Sequence, residues 1–127
     1  MTKLLLLLLL FFGCRNSPPP RGTPERERKA VLYKVRGYLQ REKPSYPGNG
    51  RPIFEKARIV RCDLKTLLQE RPIFFDILEK GLLDNLKDSK GRFYFVGIPT
   101  SSHRGIIVVV EPREIIPISY GYYLIGE

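Results

Sequence analysis

The hydrophobic and polar positions of this 127-residue chain divide it into three stretches. Residues 1–13 hold one lysine and a leucine-rich run, residues 14–29 are rich in proline and charge, and residues 30–127 carry patterned apolar positions. A cation followed by a short apolar run is typical of an export signal. The pattern therefore predicts a signal peptide, an extended tether and one globular β-rich domain over those three ranges.

Most of the patterned part is predicted to form β-strands. Residues 30–40 fit both a strand and one face of a helix, and their β-branched and aromatic content, with Gly37 inside, favours a strand. Four further strands are predicted over residues 55–63, 92–98, 105–110 and 115–125. The strands at 92–98 and 105–110 are apolar on both faces, as central strands are. Pro117 and Gly121 indicate an edge strand at the end of the chain.

A helical insertion is predicted between the second and third strands. Leu64, Leu67 and Leu68 suggest one or two helical turns, and Pro72 suits the first position of a second helix. That second helix would carry one apolar stripe, formed by Phe75, Leu78, Leu82 and Leu86. The fold class is therefore mainly β with a helical insertion, and an α+β fold is the alternative.

A long loop, Arg41–Phe54, is predicted between the first two strands, because its Pro, Gly and Asn residues prevent regular structure. Prolines limit the entropy that a loop loses on docking, and tyrosines such as Tyr46 anchor interfaces. The loop is therefore a candidate contact element, and a variable surface loop without a partner is the alternative.

The residues around Cys14 resemble the lipobox of bacterial lipoproteins. Gly13 precedes the cysteine, a leucine-rich run lies upstream, and Phe11 and Phe12 occupy positions where the motif usually has Leu and a small residue. The apolar run is shorter than the roughly 20 residues that a membrane-spanning helix needs. Acylation of Cys14 would attach the mature chain to a membrane. Under the sorting rule of enterobacterial lipoproteins, the resemblance with Arg15 after the cysteine implies the periplasmic face of the outer membrane. A secretory signal with an incidental cysteine and a short uncleaved anchor are the alternatives.

The chain is basic, with a formal net charge of +9 that becomes +8 once residues 1–13, with Lys3 and no acid, are removed. The cations are spread among acids and form no dense block interleaved with aromatic residues, so we expect no nucleic acid partner. The charge fits a solvated surface or attraction to anionic lipids, cell-wall polymers or an acidic partner.

The sequence offers few residues for chemistry. Cys62 alternates with Val60 and Leu64 on one face of a predicted strand, which predicts a buried, inert thiol. His103 is the single histidine and stands in a serine-rich turn without an identifiable orienting carboxylate. One His and one remaining Cys cannot form a closed metal site. We therefore expect no enzymatic activity, no metal and no cofactor.

Residues 49–66 resemble the region around the second strand of TssJ, the outer-membrane lipoprotein family of type VI secretion. The shared features are an Asn-containing loop, the step Gly50–Arg51–Pro52, a strand with Arg-Ile-Val, and then Leu-Lys before a short helix. The resemblance implies a transthyretin-like β-sandwich whose first inter-strand loop contacts TssM, an inner-membrane secretion component. The implied partner-binding residues are Tyr46, Asn49, Gly50, Arg51 and Pro52.

Two other classes of protein share this layout. Phage- or plasmid-encoded envelope lipoproteins, such as spanins and exclusion factors, are also short, acylated and proline-bearing. An envelope enzyme inhibitor is the third possibility.

Overall fold

The computed structural model describes residues 24–46 and 50–126. The helices are α1 (Glu25–Glu42), α2 (Leu64–Glu70) and α3 (Lys80–Leu86), and a 3₁₀ turn spans Phe54–Lys56. The strands are β1 (Arg58–Asp63), β2 (Ile77–Leu78), β3 (Arg92–Pro99), β4 (Arg104–Glu111) and β5 (Ile116–Leu124). The fold is mainly β, and α2, β2 and α3 form an insertion between β1 and β3, so the predicted fold class is confirmed.

The five strands form one antiparallel sheet in the order β1-β3-β4-β5-β2. Strands β3 and β4 lie at its centre, and their long buried runs explain why both were predicted as central strands. The β-sandwich implied by the resemblance is not confirmed, because the described residues form a single sheet whose two faces are covered mainly by helices.

Alternate residues along the strands point to opposite faces of the sheet and form two separate hydrophobic cores. One face packs against α1 and buries Ile59, Tyr94, Val96, Ile98, Ile106, Val108 and Val110. The opposite face packs against α2, α3 and the segment between them, and buries Val60, Cys62, Phe95, Ile107, Val109 and Tyr123. Burial on both faces accounts for the unbroken apolar runs in the sequence.

Helix α1 corrects the predicted strand at residues 30–40. Val31, Val35 and Leu39 recur every four residues and are fully or almost fully buried against the sheet, whereas Tyr33 is 77% exposed. Burying three such side chains contributes roughly 5–9 kcal/mol before entropy is counted. The alternation of apolar residues predicted a strand. The four-residue spacing of Val31, Val35 and Leu39 instead forms the buried face of a helix.

The helix also begins before the predicted domain boundary at residue 30. Residues 25–29, predicted to belong to the tether, form its first turns, and Glu25 and Glu27 there interact favourably with the helix dipole. The Tyr94 hydroxyl donates a hydrogen bond to Glu27, which attaches this end of α1 to β3. The described domain therefore includes the end of the predicted tether.

The second helix of the insertion begins at Lys80 and not at Pro72. Backbone amides of Asp76 and Glu79 donate to the carbonyls of Leu124 (2.8 Å) and Tyr122 (3.0 Å), so this segment pairs with β5. The predicted stripe of Phe75, Leu78, Leu82 and Leu86 is nevertheless buried. Strand β5 was predicted to lie at the edge of the sheet. Because β2 pairs with it at Tyr123–Leu124, only the part of β5 that contains Pro117 is a free edge.

Candidate protein-binding surface

Four half-buried tyrosines meet on the α1 side of the sheet. Tyr38 comes from α1, Tyr46 from the loop after it, and Tyr120 and Tyr122 from β5. The rings of Tyr38 and Tyr120 lie 6.2 Å apart between centroids, and those of Tyr120 and Tyr122 lie 6.0 Å apart, both edge to face. We call these four residues the tyrosine patch.

The strand register determines the composition of the patch. Tyr120 and Tyr122 pair with Val108 and Ile106, whose side chains belong to the core beneath α1, so both tyrosines point to that face. Gly121, between them, has its α-carbon directed to the opposite face, where an added Cβ atom would meet Leu82. Tyr38 lies near the end of α1 and closes the cluster from above the sheet.

The loop between α1 and β1 is attached to the domain at both ends. At its start, the Tyr122 hydroxyl donates to the Ser45 carbonyl oxygen (2.7 Å), and Tyr46 packs against the core under α1. At its end, the Ile53 amide donates to the Pro99 carbonyl oxygen (2.8 Å). The Arg36 guanidinium also lies 4.2 Å above the centre of the Phe54 ring. These contacts hold the start of the loop at the tyrosine patch and its end against α1 and the end of β3.

The hydroxyl groups of Tyr38, Tyr46 and Tyr122 are protonated at neutral pH. Burial raises the pKa of Tyr38, Tyr46 and Tyr122, and the charge of Glu42 adds to the effect at Tyr38. The patch therefore presents apolar ring faces together with neutral hydrogen-bond donors. Such rigid, amphipathic side chains are enriched at the centres of protein interfaces.

The predicted partner-binding residues divide into two groups. Tyr46 is half-buried within the tyrosine patch, Gly50 and Pro52 are half-buried in the loop, and Arg51 is exposed. Asn49, together with the predicted lipidation site Cys14, lies outside the described residues.

Tyr38, Tyr120 and Tyr122 were missed by sequence reasoning. The alternation in Tyr120-Gly121-Tyr122 was a usable signal, because residues two apart in a strand share a face. Tyr38 could not be placed while its segment was interpreted as a strand.

The buried thiol predicted at Cys62 is confirmed. Its side chain is 2% exposed, and burial raises its pKa to about 11. The thiol is therefore protonated at neutral pH and is a poor nucleophile. Neighbouring Asp63 acts as the N-cap of α2, accepting the Thr66 amide hydrogen bond at 2.8 Å.

His103 lies exposed in the turn between β3 and β4. Its amide faces the Ser101 hydroxyl oxygen at 3.4 Å, and its carbonyl oxygen accepts the Ile125 amide at 2.7 Å. Both contacts involve the backbone of His103: the first lies within the turn, and the second attaches the turn to the segment after β5. Among the residues that the structure describes, no group of His, Cys, Asp and Glu side chains could hold a metal ion.

None of the described helices combines the length and apolarity that crossing a membrane requires. Comparison of the chain with family models, curated proteins and solved structures gave no match.

Proposed function

We propose that this chain is a lipid-anchored structural subunit of the bacterial envelope that binds another protein. The observation that carries the proposal is the tyrosine patch with the attached loop beside it. A half-exposed aromatic cluster at the root of a proline-rich loop offers anchor residues without a large ordering cost on binding.

The specific form of the proposal is a type VI secretion-like role. Cys14 would carry the acyl anchor at the periplasmic face of the outer membrane, and the loop would dock an inner-membrane component. The support comes from the lipobox-like sequence before Cys14 and from the TssJ-like residues 49–66. The packed cores on both sheet faces favour this role over a spanin-like one, since spanin-like chains usually lack a packed core.

The test is site-specific photo-crosslinking in the native cells. A photoreactive phenylalanine analogue replaces Tyr46 in one variant and Phe74 in the control, because Phe74 is 54% exposed on the segment that covers the opposite face. We expect position 46, and not position 74, to capture an integral inner-membrane protein. In a further arm, Cys14→Ser should abolish both palmitate labelling and the cross-link, because the domain is then no longer held at the membrane.

Three results would contradict the proposal. Capture at position 74 alone would place the interface on the other face. Undiminished palmitate labelling of the Cys14→Ser variant would show that Cys14 does not carry the acyl group. Capture of a soluble enzyme whose activity is suppressed would support the inhibitor class instead.

A further inference from the structure

The outward face of α1 carries an excess of positive charge. From Arg28 to Arg41 the helix contains five cations and no acidic residue. Lys29, Lys34, Arg36 and Arg41 are exposed, and Tyr33 stands among them with 77% of its surface exposed. We call Lys29, Tyr33, Lys34, Arg36 and Arg41 the basic face.

A groove of about 480 Å³ runs beside this face, between α1 and the turn that joins β4 to β5. Its charged lining consists of Lys34, Arg36 and Arg41, and its apolar side is formed by Ile115, Ile116 and Pro117. No carboxylate lines it: Glu42, which interacts with Tyr38, and Glu114, in the turn, are not among the lining residues. The groove therefore combines cations with exposed apolar surface.

The turn between β4 and β5 places an exposed aliphatic side chain in the groove. Ile115 has a positive φ of 54°, which a β-branched residue rarely adopts. The next residue, Ile116, is 46% exposed and lies directly beside α1 in the groove. Tyr33 and Ile116 are thus two large exposed side chains close to the cations of this surface.

We propose that the basic face of α1 docks on the anionic surface of a phospholipid bilayer. Lys29 and Arg41 are twelve residues apart, which corresponds to roughly 18 Å along a helix. One small anion cannot reach both ends, whereas an array of headgroups can. Interfacial helices carry this combination of cations with a few aromatic and aliphatic side chains.

The predicted anchor would bring the face to the membrane. From Cys14 to Glu25 the chain can span at most about 40 Å when fully extended. An anchor of this length would keep α1 close to the headgroups, where a basic face can interact with anionic lipids. The approach to the membrane rests on the proposed anchor, whereas the charge of the basic face is independent of it.

A single tryptophan tests the inference, because the chain has no native tryptophan. The full chain with Tyr33→Trp is reconstituted into vesicles of phosphatidylcholine alone or of phosphatidylcholine with 30% phosphatidylglycerol, a composition chosen for its negative charge. We expect a blue shift of the emission, and quenching by brominated acyl chains, only with the anionic vesicles. Salt should reverse both effects, since surface charges are screened over about 8 Å at physiological ionic strength.

The cation dependence gives the matched control. Lys29→Gln, Lys34→Gln and Arg41→Gln together should lower the ratio of docked to undocked protein by about 100-fold, since each cation near an anionic membrane contributes about fivefold. The control triple variant changes Lys65, Lys87 and Lys90, exposed on or beside the helices of the opposite face, to Gln. It removes the same charge and should retain docking.

Several results would overturn the inference. Equal emission in both vesicle types would exclude electrostatic docking. An equal loss of docking in the two triple variants would show that net charge, and not the basic face, determines binding. If soluble polyglutamate shifts the emission and the vesicles do not, the occupant is an acidic polypeptide. None of these outcomes affects the cross-link at Tyr46, so this inference and the proposed function can fail separately.

Discussion

Replacing Gly105 with alanine should destabilise the domain strongly. Gly105 begins the buried part of β4 and pairs with Tyr123 of β5. A Cβ atom at position 105 would overlap the Tyr123 ring at Cζ, Oη and Cε2. Tyr123 is 4% exposed and belongs to the core beneath α2 and α3, so the ring has little room to move.

The magnitude follows from the two ways in which the domain can respond. If the ring stays, overpacking costs about 1–3 kcal/mol. If the ring is expelled, the domain loses roughly 1.5–3 kcal/mol of aromatic burial and leaves a cavity as well. Since the less costly response prevails, we expect a loss of about 1–3 kcal/mol in the free energy of unfolding.

Urea denaturation followed by circular dichroism measures this loss. The control is Gly91→Ala, because a Cβ atom at position 91 meets nothing within 4 Å, and its stability should stay within about 0.5 kcal/mol of the wild type. In a Tyr123→Leu background, Gly105→Ala should cost less than about 1 kcal/mol, since the two changes share one contact. A full cost in that background, or no cost in the wild type, would refute the assignment of the effect to the ring.

Two further predictions concern α1 and Cys62. Gly37→Ala should stabilise the domain by about 0.5–1 kcal/mol in thermal denaturation, because Gly37 lies inside a helix and its added Cβ atom would meet only Arg41 Nη1 at 3.5 Å; a loss of stability would contradict the helix. Folding raises the pKa of Cys62 from 9.0 to about 11. The wild type should therefore lose stability as the pH rises from 9 to 11, and its loss should exceed that of Cys62→Ala by roughly 2 kcal/mol. Its thiol should also react slowly with a thiol reagent until the protein unfolds, and identical alkaline profiles or rapid native labelling would show that it is not buried.

The sequence predicted elements that are determined by local pattern. Strands β3 and β4 were found because their residues are apolar on both faces, and α2 because Leu64 and Leu67 keep helical spacing. The segment now known as α1 was ambiguous, since Val31, Tyr33 and Val35 alternate while Val31, Val35 and Leu39 are also four residues apart. The choice between a strand and a helix for this segment depends on how it packs on the sheet, which the local sequence does not show.

Long-range contacts explain the other differences. Nothing local indicates that Asp76 and Glu79 donate their amide hydrogen bonds to β5, so a helix starting at Pro72 was the reasonable prediction. The same limit applies to the candidate site. Tyr46 was found because it lies in a proline-rich loop, but its neighbours Tyr38 and Tyr120 join it only through tertiary packing.

The order of elements along the chain has a consequence for biosynthesis. Helix α1 is made early, yet the strands that it contacts most are β4 and β5, and β1 and β2 pair with β3 and β5. Sheet partners for residues 25–86 therefore lie within residues 92–124. Most of the stability of a helix in a protein comes from tertiary packing, so the growing chain cannot complete its cores until its last third has been synthesised.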